Sequence, residues 1–320
     1  MSSRHLVDPA PWVWLEMMPT MGFSQEMLPP TRTMMAQMVA SRGPVEHPDI
    51  VSVERHIDGP DGNDILLMVH RPLAAEGPLP AVLHIHGGGY VIGSAEMSVA
   101  SNQRTAADVG CVVVSVDYRL APETRHPGPV EDCWAALQWV IGQAAALDVD
   151  PARIAVMGES AGGGLAAALA LMARDRGVAV AHQHLIYPML DDRTSFGDPH
   201  PFTGEFVWTA ESNRFGWTSL LGEGVGGENV DPYGAAARAS DLAGLPPTYI
   251  SVGALDLFVE EDMDYARRLI RAGVPTELHV YPGAFHGFDI AVEADVTRVA
   301  YGNSCAALRR ALLTTEEARP

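Results

Sequence analysis

Ile154-Ala-Val-Met-Gly-Glu-Ser-Ala-Gly-Gly-Gly164 is the stretch on which the reading of the chain turns. Ile154 to Met157 is a short apolar run, the pattern of a buried parallel strand. Gly158-Glu159-Ser160-Ala161-Gly162 then makes a tight corner, and the alanine-rich segment from Ala161 to Arg174 reads as a helix. Gly-x-Ser-x-Gly between a strand and a helix is the corner that exposes a nucleophilic serine at the top of a sheet. Side chains at the two flanking glycines would collide with the neighbouring strand or helix. Ser160 would stand at a helix N-terminus, where free N–H groups and the helix dipole favour developing negative charge. By itself the pentapeptide is a weak signal. At about 7% glycine usage, a chain this long contains one by chance on the order of one time in ten. The rest of the chain must supply the context.

Composition sets bounds. The 320 residues suffice for one large α/β domain with an insertion or for two modest domains, and 47% apolar with 19% charged residues is ordinary globular usage. The formal charge is −19, and all 21 basic residues are Arg, with no Lys. A chain that acidic repels phosphate backbones and anionic lipid, which excludes nucleic acid as the expected partner. No run reaches the ~18 to 20 apolar residues of a spanning helix, so no stable membrane insertion is expected. Asp8, Pro9, Pro11, Glu16 and Pro19 interrupt any leader-like apolar run, and a soluble, reducing, cytoplasmic setting is the expectation. Cys111, Cys133 and Cys305 are widely spaced in apolar contexts, which reads as buried structural thiols. Without a CxxC pair or Cys/His cluster, no metal and no cofactor are expected.

Elements alternate along the chain. Residues 1–45 are rich in Met, Trp and Pro (Trp12, Trp14, Met17, Met18, Met21, Phe23), followed by a helical pattern from Thr31 to Ala40. Met34, Met35, Met38 and Val39 are expected on one face of that helix, either packed on the main domain or forming a lid of adaptable side chains. A membrane-lying helix lacks the basic polar face it would need. Strands are expected at 50–56 and 65–71 as an antiparallel edge, then at 81–86, 111–116, 154–157, 182–187, 248–252 and 276–281. Helices are expected at 97–109, 130–146, 161–174, 260–272 and 293–313. Residues 191–234, with six aromatic residues from Phe196 to Trp217, break the rhythm and read as an inserted cap with one or two helices. The expected fold is therefore α/β: a mostly parallel eight-stranded sheet flanked by helices. The expected domains are an N-terminal cap segment at 1–45, a catalytic domain at 46–190 and 235–320, and the cap insertion at 191–234.

Ester cleavage by serine needs a nucleophile, a base, a group that orients the base, and donors for the oxyanion. Ser160, Asp256 and His286 occur in the chain order serine, acid, histidine. Asp256 follows the strand at 248–252, at the carboxyl end where such sheets gather their sites. His286 sits in Gly283-Ala-Phe-His-Gly-Phe288, a loop able to present an imidazole. Glu260 is the rival acid, while Glu260, Glu261, Asp262 and Asp264 together read as the solvated start of a helix. His279, in a strand, and His126, in a loop, are the rival histidines. His86-Gly-Gly-Gly89 follows the third strand. Backbone N–H groups of Gly87 and Gly88, with that of Ala161, would form the oxyanion hole, each donor worth ~2.7–4 kcal/mol. His86 reads as the hydrogen-bonder that fixes this loop.

These pieces together resemble the bacterial hormone-sensitive-lipase-like esterases, a branch of the α/β-hydrolases with a helical cap. The matching stretches are His86-Gly-Gly-Gly-Tyr90, Asp117-Tyr-Arg-Leu-Ala-Pro-Glu123, Gly158-Glu-Ser-Ala-Gly-Gly163, Tyr187-Pro188, the surroundings of Asp256, and His286-Gly-Phe288. The resemblance implies a carboxylesterase that takes small-molecule esters of short to medium acyl length through an acyl-enzyme. It also implies that Arg119 and Glu123 pair to brace the elbow, and that homodimers form through the last strand near Leu278 to Tyr281. Two positions depart from the family: Glu159 stands where Asp or Thr is commoner, and Leu257 replaces a proline beside the acid. Tyr90, Phe206, Phe215, Leu257 and Phe288 are the expected pocket residues. Amide, lactone or carbamate hydrolysis by the same residues stays open. So does a receptor on the same scaffold, which His286 argues against.

Overall fold

Val112–Val116 and the apolar core of the strand before Ser160 have no polar face, and the structure buries them between two helical layers. The structure is a computed structural model that describes residues 2–17, 22–75, 77–197 and 200–313. Met18, Pro19 and Met21 of the N-terminal segment lie outside the described residues. Eight strands form one sheet in the order β1-β2-β4-β3-β5-β6-β7-β8. They are β1 (Ile50–Asp58), β2 (Asp64–Pro72), β3 (Leu79–Ile85), β4 (Val112–Val116), β5 (Val149–Glu159), β6 (His182–Ile186), β7 (Thr248–Gly253) and β8 (Thr276–Tyr281). β1 pairs antiparallel with β2, and β2 with β4; every later pairing is parallel.

The helices are α1 (Trp12–Met17), α2 (Leu28–Arg42), α3 (Val99–Val109), α4 (Gly128–Gly142), α5 (Ala144–Leu147), α6 (Ala161–Asp175), α7 (Ala210–Leu221), α8 (Val259–Arg271) and α9 (Asp295–Leu312). Strand side chains alternate between the layers. Val82, Val113, Ala155 and Met157 pack with residues of α3 and α9, such as Ala106, Val109, Leu308 and Leu312. Leu83, Val114, Val156 and Ile250 face α4, α6 and α8, where Leu137, Leu169 and Leu269 meet them. This is the layering that strand–helix alternation predicts.

Three expectations needed correction. The helix expected over 130–146 breaks at Gln143, just after Gly142, a residue that costs about 1 kcal/mol in a helix interior. The methionine face of α2 is split. Leu28 and Thr31 are buried and Met35 is half-buried, whereas Met34 and Met38 are exposed. The third difference is at α8: Glu260 and Asp264 are exposed, but Glu261 and Asp262 are buried. Glu261 accepts from the N–H groups of Leu190 (2.7 Å) and Asp191 (3.2 Å) and from the Thr194 hydroxyl, because α8 packs under the chain that leaves β6. Burial, then the neighbouring Glu261 and Asp256, push the Asp262 carboxyl well above the usual range.

Among the described residues of 191–234 there is one α-helix, α7, with a short 3-10 turn after it. Thr209 caps α7, its hydroxyl accepting from the Ser212 N–H at 3.2 Å. The N-terminal segment meets this insertion. The Ser2 and Ser3 hydroxyls donate to Glu205, each at 2.7 Å, and Phe23 packs on Trp208 with ring centroids 5.6 Å apart. Arg32 of α2 donates to Val91 O (2.8 Å) and Ala121 O (2.7 Å) and pairs with Glu123 (2.8 Å), clamping α2 to the loops after β3 and β4.

Candidate active site

Each side chain of the site stands on a loop that leaves the carboxyl end of a parallel strand. Ser160 joins β5 to α6 with φ 56° and ψ −121°, a strained conformation for a residue with a Cβ. Glycine on either side makes the corner fit. A Cβ on Gly158 would lie 2.3 Å from the carbonyl of Gly162, and a Cβ on Gly162 would lie 2.0 Å from the carbonyl oxygen of Ile85. The Ser160 N–H donates to Ile186 O at 2.9 Å, and its carbonyl accepts from Met189 N–H at 2.9 Å. The corner is thus tied to the chain leaving β6.

Asp256 follows β7 and His286 follows β8. The two loops are stitched together: Ala254 N–H donates to Tyr281 O and Leu255 N–H to Ala284 O, both at 2.9 Å. His286 Nδ1 lies 2.8 Å from Asp256 Oδ2, and His286 Nε2 lies 2.9 Å from Ser160 Oγ. A carboxylate can only accept, so Nδ1 carries the proton and donates to Asp256, which leaves Nε2 bare to accept from the serine hydroxyl. The other Asp256 oxygen accepts from the Phe258 N–H at 3.0 Å. Asp256 is fully buried, with Ser160 and His286 each 6% exposed, so the three groups meet in a largely water-free place. The rivals lie elsewhere. Glu260 is exposed, His126 pairs with Asp231, and His279 pairs with Glu277.

The loop after β3 runs alongside. A Cβ on Gly87 would lie 3.4 Å from Ser160 Cβ, so the backbone of Gly87 and Gly88 passes directly beside the serine. Ala161 is the first residue of α6, where the N–H has no intrahelical acceptor. His86 holds the loop from behind. Its Nδ1–H donates to Gly87 O (2.8 Å), and its ring stacks on Tyr118 at 4.3 Å, whose hydroxyl donates to His86 O (2.9 Å). Burial pushes the His86 imidazole below its usual range. Glu159 reaches under the corner to accept from His84 Nε2–H at 2.9 Å, a hydrogen bond between residues 75 positions apart. The Arg119–Glu123 pair is not formed. Arg119 forks onto fully buried Asp132 (2.8 and 2.9 Å) and reaches Asp61 (2.8 Å), while Glu123 is taken by Arg32. A buried carboxylate needs the bidentate partner more than an exposed glutamate does.

The expected pocket residues are scattered. Tyr90 is buried against Trp217, its hydroxyl donating to Met189 O at 3.1 Å. Phe288 packs on Tyr187 and Tyr281, and Phe206 on Phe285. Leu257 lies against Gly204, and Phe215 joins the main core from its edge. Of the aromatic residues between 191 and 234, Trp208 stands beside the base. Its ring is 6.1 Å from the His286 ring, and a Cβ on Gly89 would lie 2.1 Å from it. Asn213 fixes the indole by accepting from Nε1–H at 3.1 Å. Nothing in the local sequence separates Trp208 from the other aromatic residues of 191–234. Among the described residues, no group of three or more His, Cys, Asp or Glu is placed to hold a metal ion.

Comparison with known proteins agrees with this architecture. Residues 82–290 match the family model described as the alpha/beta hydrolase fold. The chain is 35% identical over 269 residues to the carboxylesterase NlhH of Mycobacterium tuberculosis, covering 81% of this chain and 83% of that one. It is 32% identical over 250 residues to the ethyl acetate hydrolase of Pseudomonas putida, covering 77% and 78%. Among solved structures, a bacterial heroin esterase superposes with a TM-score of 0.90 at 39% identity, covering 97% of this chain and 99% of that one. The chain belongs to the α/β-hydrolase fold family, in its hormone-sensitive-lipase-like branch, and is a carboxylic ester hydrolase.

Proposed function

We propose that the chain hydrolyses short to medium acyl esters with Ser160 as nucleophile, His286 as general base and Asp256 as the residue that orients the base. The observation that carries this reading is the unbroken relay from Ser160 Oγ to His286 Nε2 (2.9 Å) and from His286 Nδ1 to Asp256 (2.8 Å). Ser160 Oγ attacks the ester carbonyl as His286 Nε2 takes its proton, and Asp256 stabilises the imidazolium that results. The carbonyl oxygen gains negative charge and is received by the N–H groups of Gly87, Gly88 and Ala161 at the helix N-terminus. Collapse of the tetrahedral species breaks the bond to the alcohol, which leaves with the proton from His286. Water, deprotonated by His286, then cleaves the acyl-enzyme and regenerates Ser160.

Trp208 supports the limit on acyl length, because its ring closes over the loop at Gly89 beside the imidazole. Residues 1–45 and 191–234 serve as the cap, a reading supported by their contacts with each other at Glu205 and Trp208. No helix among the described residues is long and apolar enough to cross a membrane, and the three free, buried thiols favour a cytoplasmic setting. The test is a panel of p-nitrophenyl esters from acetate to dodecanoate, run on the wild-type chain and on Ser160→Ala. Activity concentrated at short acyl chains, with Ser160→Ala folded and inactive, is the expected result. Turnover retained by Ser160→Ala overturns the assignment.

A further inference from the structure

We propose that Asp289, bridged by Tyr187, is a positioning residue for His286: a second carboxylate, besides Asp256, that supports the imidazolium formed when His286 takes the serine proton. The inference rests on the relay described above and adds residues to it. Asp289 lies three positions after His286, in the 3-10 turn Phe288–Ile290 that follows the base. The Tyr187 hydroxyl donates to both oxygens of this carboxylate, at 2.8 and 2.9 Å. The Tyr187 ring stands edge-on to the imidazole, centroid to centroid 4.9 Å and 66° between planes. One side chain therefore touches the base and the carboxylate together.

The backbone supports this arrangement. Tyr187 has φ +35°, a conformation that costs a non-glycine residue roughly 1–3 kcal/mol and persists only where the surroundings hold it. Its N–H donates to Ser251 O at 2.6 Å, and the turn carrying Asp289 is fastened by the Thr297 hydroxyl donating to Phe288 O at 3.1 Å. Phe258, at 5.1 Å and 89°, and Trp208, at 6.1 Å, complete the aromatic walls around the imidazole. The ring cannot turn without breaking its bonds to Ser160 and Asp256 and pressing on these walls.

The charges around the pair agree. Burial pushes the Asp289 carboxyl up, the Tyr187 hydroxyl pulls it back down, and the Glu159 carboxylate raises it while His286 lowers it. Burial and then Asp289 push the Tyr187 phenol well above its usual range, so it stays a donor. The polar groups against the imidazole are Ser160, Asp256 and Tyr187, with the Asp289 carboxylate held behind by the Tyr187 hydroxyl, while Glu159 is engaged by His84. From α9, Asp295 and Arg298 pair with each other at the surface.

The test is the pH dependence of kcat/KM for p-nitrophenyl acetate in the wild-type chain, Asp289→Asn and Tyr187→Phe. Asparagine keeps the shape and the bond from Tyr187 but removes the charge, so the imidazolium loses support. The acid limb of the profile should move to lower pH by about half a unit to one unit. Tyr187→Phe keeps the ring and leaves Asp289 without its donor, which favours the protonated carboxyl, so the limb should move the same way by less. An acid limb that stays within about 0.2 unit of wild type in both variants overturns the proposal, even if activity falls evenly at all pH values. A wild-type profile with no acid limb overturns the relay reading and this one with it.

Discussion

The Cβ that Gly162 lacks would lie 2.0 Å from the carbonyl oxygen of Ile85 at the end of β3. That oxygen is backbone in the centre of the sheet and cannot move aside cheaply. Gly162→Ala should therefore cost at least the ~1–3 kcal/mol typical of overpacking, and should pull Ser160 out of reach of His286. A urea midpoint and the turnover of p-nitrophenyl acetate measure both. Wild-type stability together with wild-type turnover would contradict the close approach.

Asp256 meets His286 Nδ1 at 2.8 Å and has no access to solvent. Asp256→Asn keeps the shape of the side chain but presents an N–H₂ where the imidazole needs an acceptor, which selects the wrong tautomer. A loss of about 10⁴-fold in kcat with little change in fold is expected. Circular dichroism beside steady-state kinetics checks it; a loss of less than tenfold would mean that another group orients the base.

Trp208 lies over Gly89 and beside His286, and Phe23 packs on its outer side. Trp208→Ala opens this wall and unpins the N-terminal segment. The ratio of kcat/KM for the p-nitrophenyl octanoate to that for the acetate should rise, by roughly 10-fold or more on the scale of 1–3 kcal/mol per pocket contact. An unchanged ratio would place the acyl chain elsewhere.

His70 and His182 are buried, and burial pushes each imidazole down from 6.5 to about 4. The fold therefore holds them neutral, while the unfolded chain takes up protons as pH falls below about 6.5. Their contribution is complete above that value and is lost as pH falls towards about 4, on the order of 2 kcal/mol for each group by pH 5. Glu261 and Asp262, whose carboxyls burial pushes up, act in the opposite sense, so the informative quantity is a difference. Between pH 7 and pH 5 the wild-type chain should lose more unfolding free energy in urea than His182→Asn does. Equal losses would mean that His182 is protonated in the folded state.

The alternation of apolar runs and helical segments was enough to read eight strands and a mainly parallel sheet, because period and flanking glycines are local properties. The meeting of Ser160, Asp256 and His286, the proposed relay, follows from the same layout. The fold delivers them at three strand ends, and the order of those strands in the chain is the order of the residues. What the chain could not reveal is how groups distant in sequence share space. Glu261 and Asp262 read as a solvated helix start, and only the packing of α8 beneath the chain leaving β6 buries them. Arg119 and Glu123 are near neighbours in sequence, yet their partners come from α4 and α2. Trp208 and the Tyr187–Asp289 pair share this origin. Periodicity says which side chains point inward, but which of them meet is settled by close packing, where each contact depends on every element that crosses it.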